Sequence, residues 1–172
     1  MSGMSIGDVL TQSETLPPTP YQAQDLARLL ESLRQQQVNG TLQLEVEVPF
    51  GQQWQRVLVW YKGEITYGGN KPIERGELIR KLIQKFKPEY TQSIEGWLTQ
   101  QLLHPFPSRE LLNVLVSRQV LTWDQIESWA QGQVVFTLEQ AISFGGKYRF
   151  IPHTEIDFYH GAEGRGDRKS VV

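Results

Sequence analysis

A chain of 172 residues, 39% hydrophobic and 21% charged, has globular composition and enough apolar material for a real core. Its formal net charge of −2 supplies no field that would draw it to nucleic acid or anionic lipid. It has no cysteine, which excludes disulfides, thiolate metal centres and cysteine nucleophiles and fits a reducing compartment.

The N-terminus has no basic leader region, since the first Lys or Arg is Arg28, and no apolar run approaches the roughly 18 residues needed to span a bilayer. The expectation is a soluble cytoplasmic protein without membrane insertion. Residues 1–20 read as a disordered tail, because TQSETLPPTP is polar and rich in proline. A single α+β domain is expected over 21–160, followed by a flexible tail at 161–172. The Arg165-Gly166-Asp167 tripeptide in that Gly-rich end is read as chance.

Leu26, Leu29, Leu30 and Leu33 recur at helical spacing, and Asn39-Gly40 is read as the turn that ends this helix. In TLQLEVEV, Leu42, Leu44, Val46 and Val48 alternate with Gln43, Glu45 and Glu47, the pattern of a half-buried strand. PFGQQ turns the chain. Two further strands follow in RVLVWYKGEITYGG, joined at Lys62-Gly63, which completes a three-stranded antiparallel meander.

From Pro72 the period changes. Leu78, Ile79, Leu82, Ile83 and Phe86 mark a helix ending before Pro88, and IEGWLTQQLL a shorter one. Ser108 is placed to cap a helix containing Leu111, Leu112, Val114 and Leu115. Thr122 with Gln125 forms a capping-box pattern opening a helix to about Ala141, with Gly132 inside it. KYRFIPHTEIDF reads as a last strand, put at a sheet edge by Pro152. The fold class is therefore α+β: an N-terminal helix, a three-stranded antiparallel meander, and a helical C-terminal half with a final edge strand.

Four stretches carry residue types that could support chemistry. Gly68-Gly69-Asn70-Lys71 leads from a strand to a helix, but Pro72 stands where a phosphate loop needs Ser or Thr and no glycine lies five residues before Lys71. These glycines, like Gly63, are read as connections needing positive φ. His153, Glu155 and Asp157 share a strand face with His160 just beyond, a donor set that a divalent cation could use; the opposite face carries the core pattern, so the polar face is read as solvated. Between Lys71 and Lys87, six cations face two acids, Glu74 and Glu77, the largest local charge asymmetry in the chain. Helices 108–119 and 122–141 with the following strand imitate a helix-turn-helix with a wing. Yet no Lys or Arg lies between Arg118 and Lys147, while Asp124, Glu127 and Glu139 do, a sign that repels phosphates. No G-x-S-x-G elbow or acid–base pair marks a catalytic site. No catalytic residue, metal site or cofactor is assigned.

The order of segments resembles the PATAN domain, the PatA N-terminal module of cyanobacterial response regulators. The likeness rests on Leu29-Leu30-Glu-Ser-Leu33, Asn39-Gly40-Thr-Leu-Gln-Leu44, Trp54-Gln-Arg-Val57 and Lys62-Gly63-Glu-Ile65-Thr-Tyr-Gly-Gly-Asn-Lys-Pro72, and covers roughly residues 22–151. It implies a non-enzymatic signalling module of a two-component system, acting through protein contacts in motility, phototaxis or cell patterning, with a motility ATPase or another signalling component as partner. These 172 residues leave no room for a receiver domain, so no phosphoacceptor aspartate is carried over, and the expectation is either a stand-alone relative or a piece of a longer protein. Contact residues expected on the residue types that dominate interfaces are Trp60, Tyr61, Arg75, Arg80, Lys81 and Lys85, and a free edge of the meander offers a route to a homodimer. The alternative is a winged-helix-like DNA-binding regulator using helices 108–119 and 122–141.

Overall fold

A computed structural model describes residues 18–153. Among them are five strands, β1 (Thr19–Tyr21), β2 (Gly40–Val48), β3 (Gln52–Tyr61), β4 (Glu64–Gly69) and β5 (Gly146–Pro152). The helices are α1 (Leu26–Gln35), α2 (Arg75–Phe86), α3 (Ser93–Gln101), α4 (Ser108–Ser117) and α5 (Trp123–Ile142). The class is α+β, as the composition of elements predicts. The described residues divide into two compact units: a sheet unit of 18–72 with 133–153, and a helical unit of 73–132.

In the sheet unit every pairing is antiparallel, in the order β1-β5-β2-β3-β4. The alternation in β2 decides which face is covered. Leu42, Leu44, Val46 and Val48 are buried with Leu58 and Trp60 of β3, and Tyr148 and Phe150 of β5 pack against them. The amphipathic helix α1 supplies Leu26 and Leu33 to this core, with Leu29 and Leu30 alongside, and the last turns of α5 supply Leu138 and Ala141. The meander is the expected one. The β3–β4 turn is Lys62 (φ 51) and Gly63 (φ 80), the two left-handed residues that match the twist of a two-residue hairpin. Asn39 Oδ1 accepts the Lys62 N–H at 2.6 Å and Val38 O accepts the Gly63 N–H at 3.0 Å, tying this turn to the end of α1.

Three local expectations are corrected. First, β5 is not simply an edge strand: β1 pairs with it over Gly146–Tyr148, so two residues of the expected tail, Thr19 and Pro20, belong to the sheet. Pro152, which lacks an N–H, lies beyond the reach of β1 and pairs only with Gly40. Second, α1 ends in a Schellman motif. Gln37 (φ 51) donates to Arg34 O and Val38 to Leu33 O, before Asn39-Gly40 is reached. Third, Pro107 occupies the N-cap of α4 and Ser108 is its first helical residue, buried. The capping box of α5 is present: Thr122 N–H donates to Gln125 Oε1 at 3.0 Å and Gln125 N–H to Thr122 Oγ1 at 3.1 Å.

The helical unit holds α2, α3, α4 and the first half of α5. Its interior is built from Leu78, Ile79, Leu82 and Ile83 of α2, Leu98 of α3, Leu111, Leu112 and Leu115 of α4, and Ile126 of α5, all buried. α4 ends as α1 does, with Gln119 (φ 62) donating to Val116 O and Val120 to Leu115 O. No helix among the described residues is long and apolar enough to cross a membrane.

Candidate interaction surfaces

The glycine-bearing breaks are structural, for two different reasons. Gly63 needs its positive φ, and a β-carbon there would also lie 2.6 Å from Arg34 O. Gly68 and Gly69 do not have positive φ; both are strand residues of β4, which corrects the reading of them as a turn. Because α2 begins only at Arg75, they do not form a loop that opens onto a helix N-terminus.

Trp60 is 1% exposed in the core of the sheet unit, so its ring is not available to a partner, and its place among the contact residues is corrected. Its cross-strand neighbour is Gly40, over which the backbone of Ile151 and Pro152 and the ring of Phe150 close. Tyr61, next along β3, is half-buried with Lys62 Nζ 5.2 Å from its ring centre. Trp54 lies at the margin of the same core, edge-on to Phe144, with the Arg56 guanidinium 5.0 Å from its ring. Arg56 donates to Gln140 Oε1 at 2.7 Å, and burial lowers its pKa.

The basic helix is largely engaged with its own unit. Arg75 Nη1 donates to the carbonyls of His104 and Phe106, both at 2.7 Å, and Nη2 to that of Leu102 at 3.4 Å. Arg80 Nε lies 2.9 Å from Glu95 Oε2, and this carboxylate raises the guanidinium pKa further. Lys81 Nζ is 3.8 Å from Glu77, a turn away, and Lys85 lies 5.8 Å from the ring centre of its neighbour Phe86. A shallow hollow at the start of α2 is lined by Ile73, Glu74, Arg75, Gly76, Arg80 and Leu102, but both of its arginines hold oxygens of the protein. Sequence spacing places these cations on one helix and gives no sign of the carbonyls and carboxylate that take them up.

His153 Nε2 is 3.2 Å from Thr41 Oγ1, and the His153 backbone N–H donates to Asn39 O. Glu155, Asp157 and His160 lie outside the described residues, and within them no group of three or more His, Asp or Glu is placed to hold a metal. The strand that the alternative reading would use as a wing, β5, lies between β1 and β2 over Gly146–Tyr148, within a five-stranded sheet.

Sequence reading passed over the hairpin tip. Between the paired Val48 and Gln52, the chain turns through Pro49-Phe50-Gly51. Phe50 has φ 69 and ψ 26, and its side chain is 100% exposed. Its signal was an aromatic residue between Pro and Gly in an otherwise polar turn. In the helical unit, the Leu102–Phe106 connection that Arg75 grips by its carbonyls leaves Leu103 79% exposed and Phe106 exposed beside the His104 ring.

Comparison with protein-family models, curated proteins and solved structures finds no match. The functional reading therefore stands on these surfaces.

Proposed function

We propose that this protein is a non-enzymatic signalling module that works by binding another protein, of the PATAN type that its segment order resembles. The observation that carries the reading is Phe50. A non-glycine residue in the left-handed region costs about 1–2 kcal/mol. Leaving a phenylalanine in water forgoes roughly 1.5–3 kcal/mol that burial would supply. Fully exposed, Phe50 gains no packing within the chain to offset either term. Compensation from outside, an aromatic anchor entering a pocket on a partner, explains both features together, and aromatic anchors dominate interface energetics. The Leu103 and Phe106 loop gives the helical unit an apolar projection of the same kind.

The test is a photoreactive benzoylphenylalanine placed at position 50 of the full chain in its native cell, with the exposed Gln92 as the control position. A discrete protein adduct at 50, suppressed by excess unlabelled protein but not by the Phe50→Ser form, is the expected result. Absence of any protein adduct, or the same adducts from both positions, would remove the reading.

A further inference from the structure

Helix α5 carries a second surface, independent of the hairpin tip. In its last two turns, Thr137 and Ala141 are buried and Leu138 packs on the sheet core. The opposite side bears Val135, Phe136 and Ile142, which are 52%, 59% and 57% exposed. Val135, Glu139 and Ile142 stand at i, i+4 and i+7, so they form one line about 10 Å long with Phe136 beside it. Isolated exposed apolar residues need no explanation; three large ones grouped on one side of a single helix do.

The charge of this line is one-sided. α5 contains no Lys or Arg along its whole length, and no basic residue in its last turn. Glu139 sits near the C-terminal end, where the helix dipole is already negative and a carboxylate is unfavourable. Among the described residues its side chain makes no ion pair or hydrogen bond. The result is an apolar ridge crossed by the unpaired carboxylate of Glu139, while Arg56, the cation bonded to this turn, is held to one side by Gln140 Oε1.

We propose that this ridge is the docking site for a basic amphipathic helix of a partner protein. A partner helix presents apolar residues at the same i, i+3, i+4, i+7 spacing, and lysines or arginines flanking its apolar face supply the cation that Glu139 lacks. The same charge argues against the other occupants. Two copies packing through this face bring two unpaired Glu139 carboxylates together, and an anionic bilayer repels them.

The probe is a leucine–lysine peptide of about four helical turns, set against a leucine–glutamate peptide with the same apolar spacing. Binding of each labelled peptide to the full chain is followed by fluorescence anisotropy, with circular dichroism confirming that every variant is folded. The lysine peptide should bind and the glutamate peptide should not. Phe136→Ser and Glu139→Lys should each weaken binding by about tenfold, or 1.4 kcal/mol. Glu89→Lys, which makes the same change in net charge on an exposed residue of the helical unit, should leave it within about twofold. The proposal is overturned if neither peptide binds, if both bind alike, or if Glu89→Lys is as damaging as Glu139→Lys. It is overturned equally if sedimentation finds a dimer that Phe136→Ser dissolves, since the occupant is then a second copy. Each of these outcomes leaves the crosslinking result at position 50 untouched.

Discussion

A β-carbon on Gly68 would fall 2.9 Å from Thr137 Oγ1 and 3.0 Å from Thr137 Cβ, so β4 and α5 meet where no methyl group fits. Thr137 is not free to yield: it is buried, and its hydroxyl donates to Gln133 O at 2.8 Å. Gly68→Ala should therefore destabilise the protein by about 1–3 kcal/mol through overpacking. Part of that loss should disappear in a Thr137→Ala background, where Oγ1 is gone. Urea denaturation of the two single variants and the double variant measures the coupling, and simple additivity would contradict the contact.

The two Schellman motifs give a prediction of opposite sign. Gln37 and Gln119 occupy the C′ positions of α1 and α4 in the left-handed region, where a β-carbon is strained. Their N–H groups bond Arg34 O and Val116 O through the backbone alone. Replacing either with glycine keeps those bonds and removes the strain, at some cost in unfolded-chain entropy. Gln37→Gly and Gln119→Gly should each raise stability by about 0.5–1 kcal/mol, additively, because they lie in different units. A fall in stability in either variant would count against the motif assignment.

Tyr21 gives the fold an alkaline limit. Its hydroxyl is buried without a hydrogen-bond partner, and burial, aided by nearby Glu47, raises its pKa above the ordinary value of 10.0. The folded state thus favours the neutral phenol. The stability from this preference is fully present below about pH 10 and is lost as pH rises through the raised folded value. Tyr21→Phe keeps the ring against Tyr148, removes the unsatisfied hydroxyl, and should stabilise the protein by about 1 kcal/mol at neutral pH. Urea denaturation at pH 8, 10 and 11 should show the wild type losing more stability than the variant over this interval; parallel curves would refute the assignment.

What could be read from the sequence was whatever local chemistry decides. Alternation in Leu42–Val48 located the covered face of β2, Thr122 with Gln125 located the start of α5, and Lys62-Gly63 located a hairpin turn. β1 was missed because Thr19-Pro20-Tyr21 has the local composition of a tail and acquires its partner from β5, more than a hundred residues on. The edge rule for Pro152 held for that residue and failed for its strand, since β1 covers only the far end of β5. The helix ends at Gln37 and Gln119 were illegible because glutamine carries no preference for positive φ. For the candidate surfaces, aromatic and cationic residue types were a guide to position along the chain but not to exposure. Packing buried Trp60 and left Phe50 and Phe136 in water.

Arg75 separates a contact residue from a positioning one. A single nitrogen, Nη1, reaches two carbonyls, those of His104 and Phe106, while Nη2 points to that of Leu102. This fork gathers the backbone of the connection after α3 to one side and leaves the Leu103 side chain outside. Lysine is a point charge on a flexible stem and cannot reproduce the fork. Arg75→Lys should destabilise the helical unit by about 1.5–3 kcal/mol, the range for hydrogen bonds to a charged donor. Amide hydrogen exchange should accelerate across 102–106, with β2 and β3 unchanged. Lys85→Gln, on the same helix but with only the Phe86 ring near its ammonium, should change neither. If Arg75 instead served a partner directly, its replacement would leave the exchange of that connection as slow as before, and only partner binding would fall.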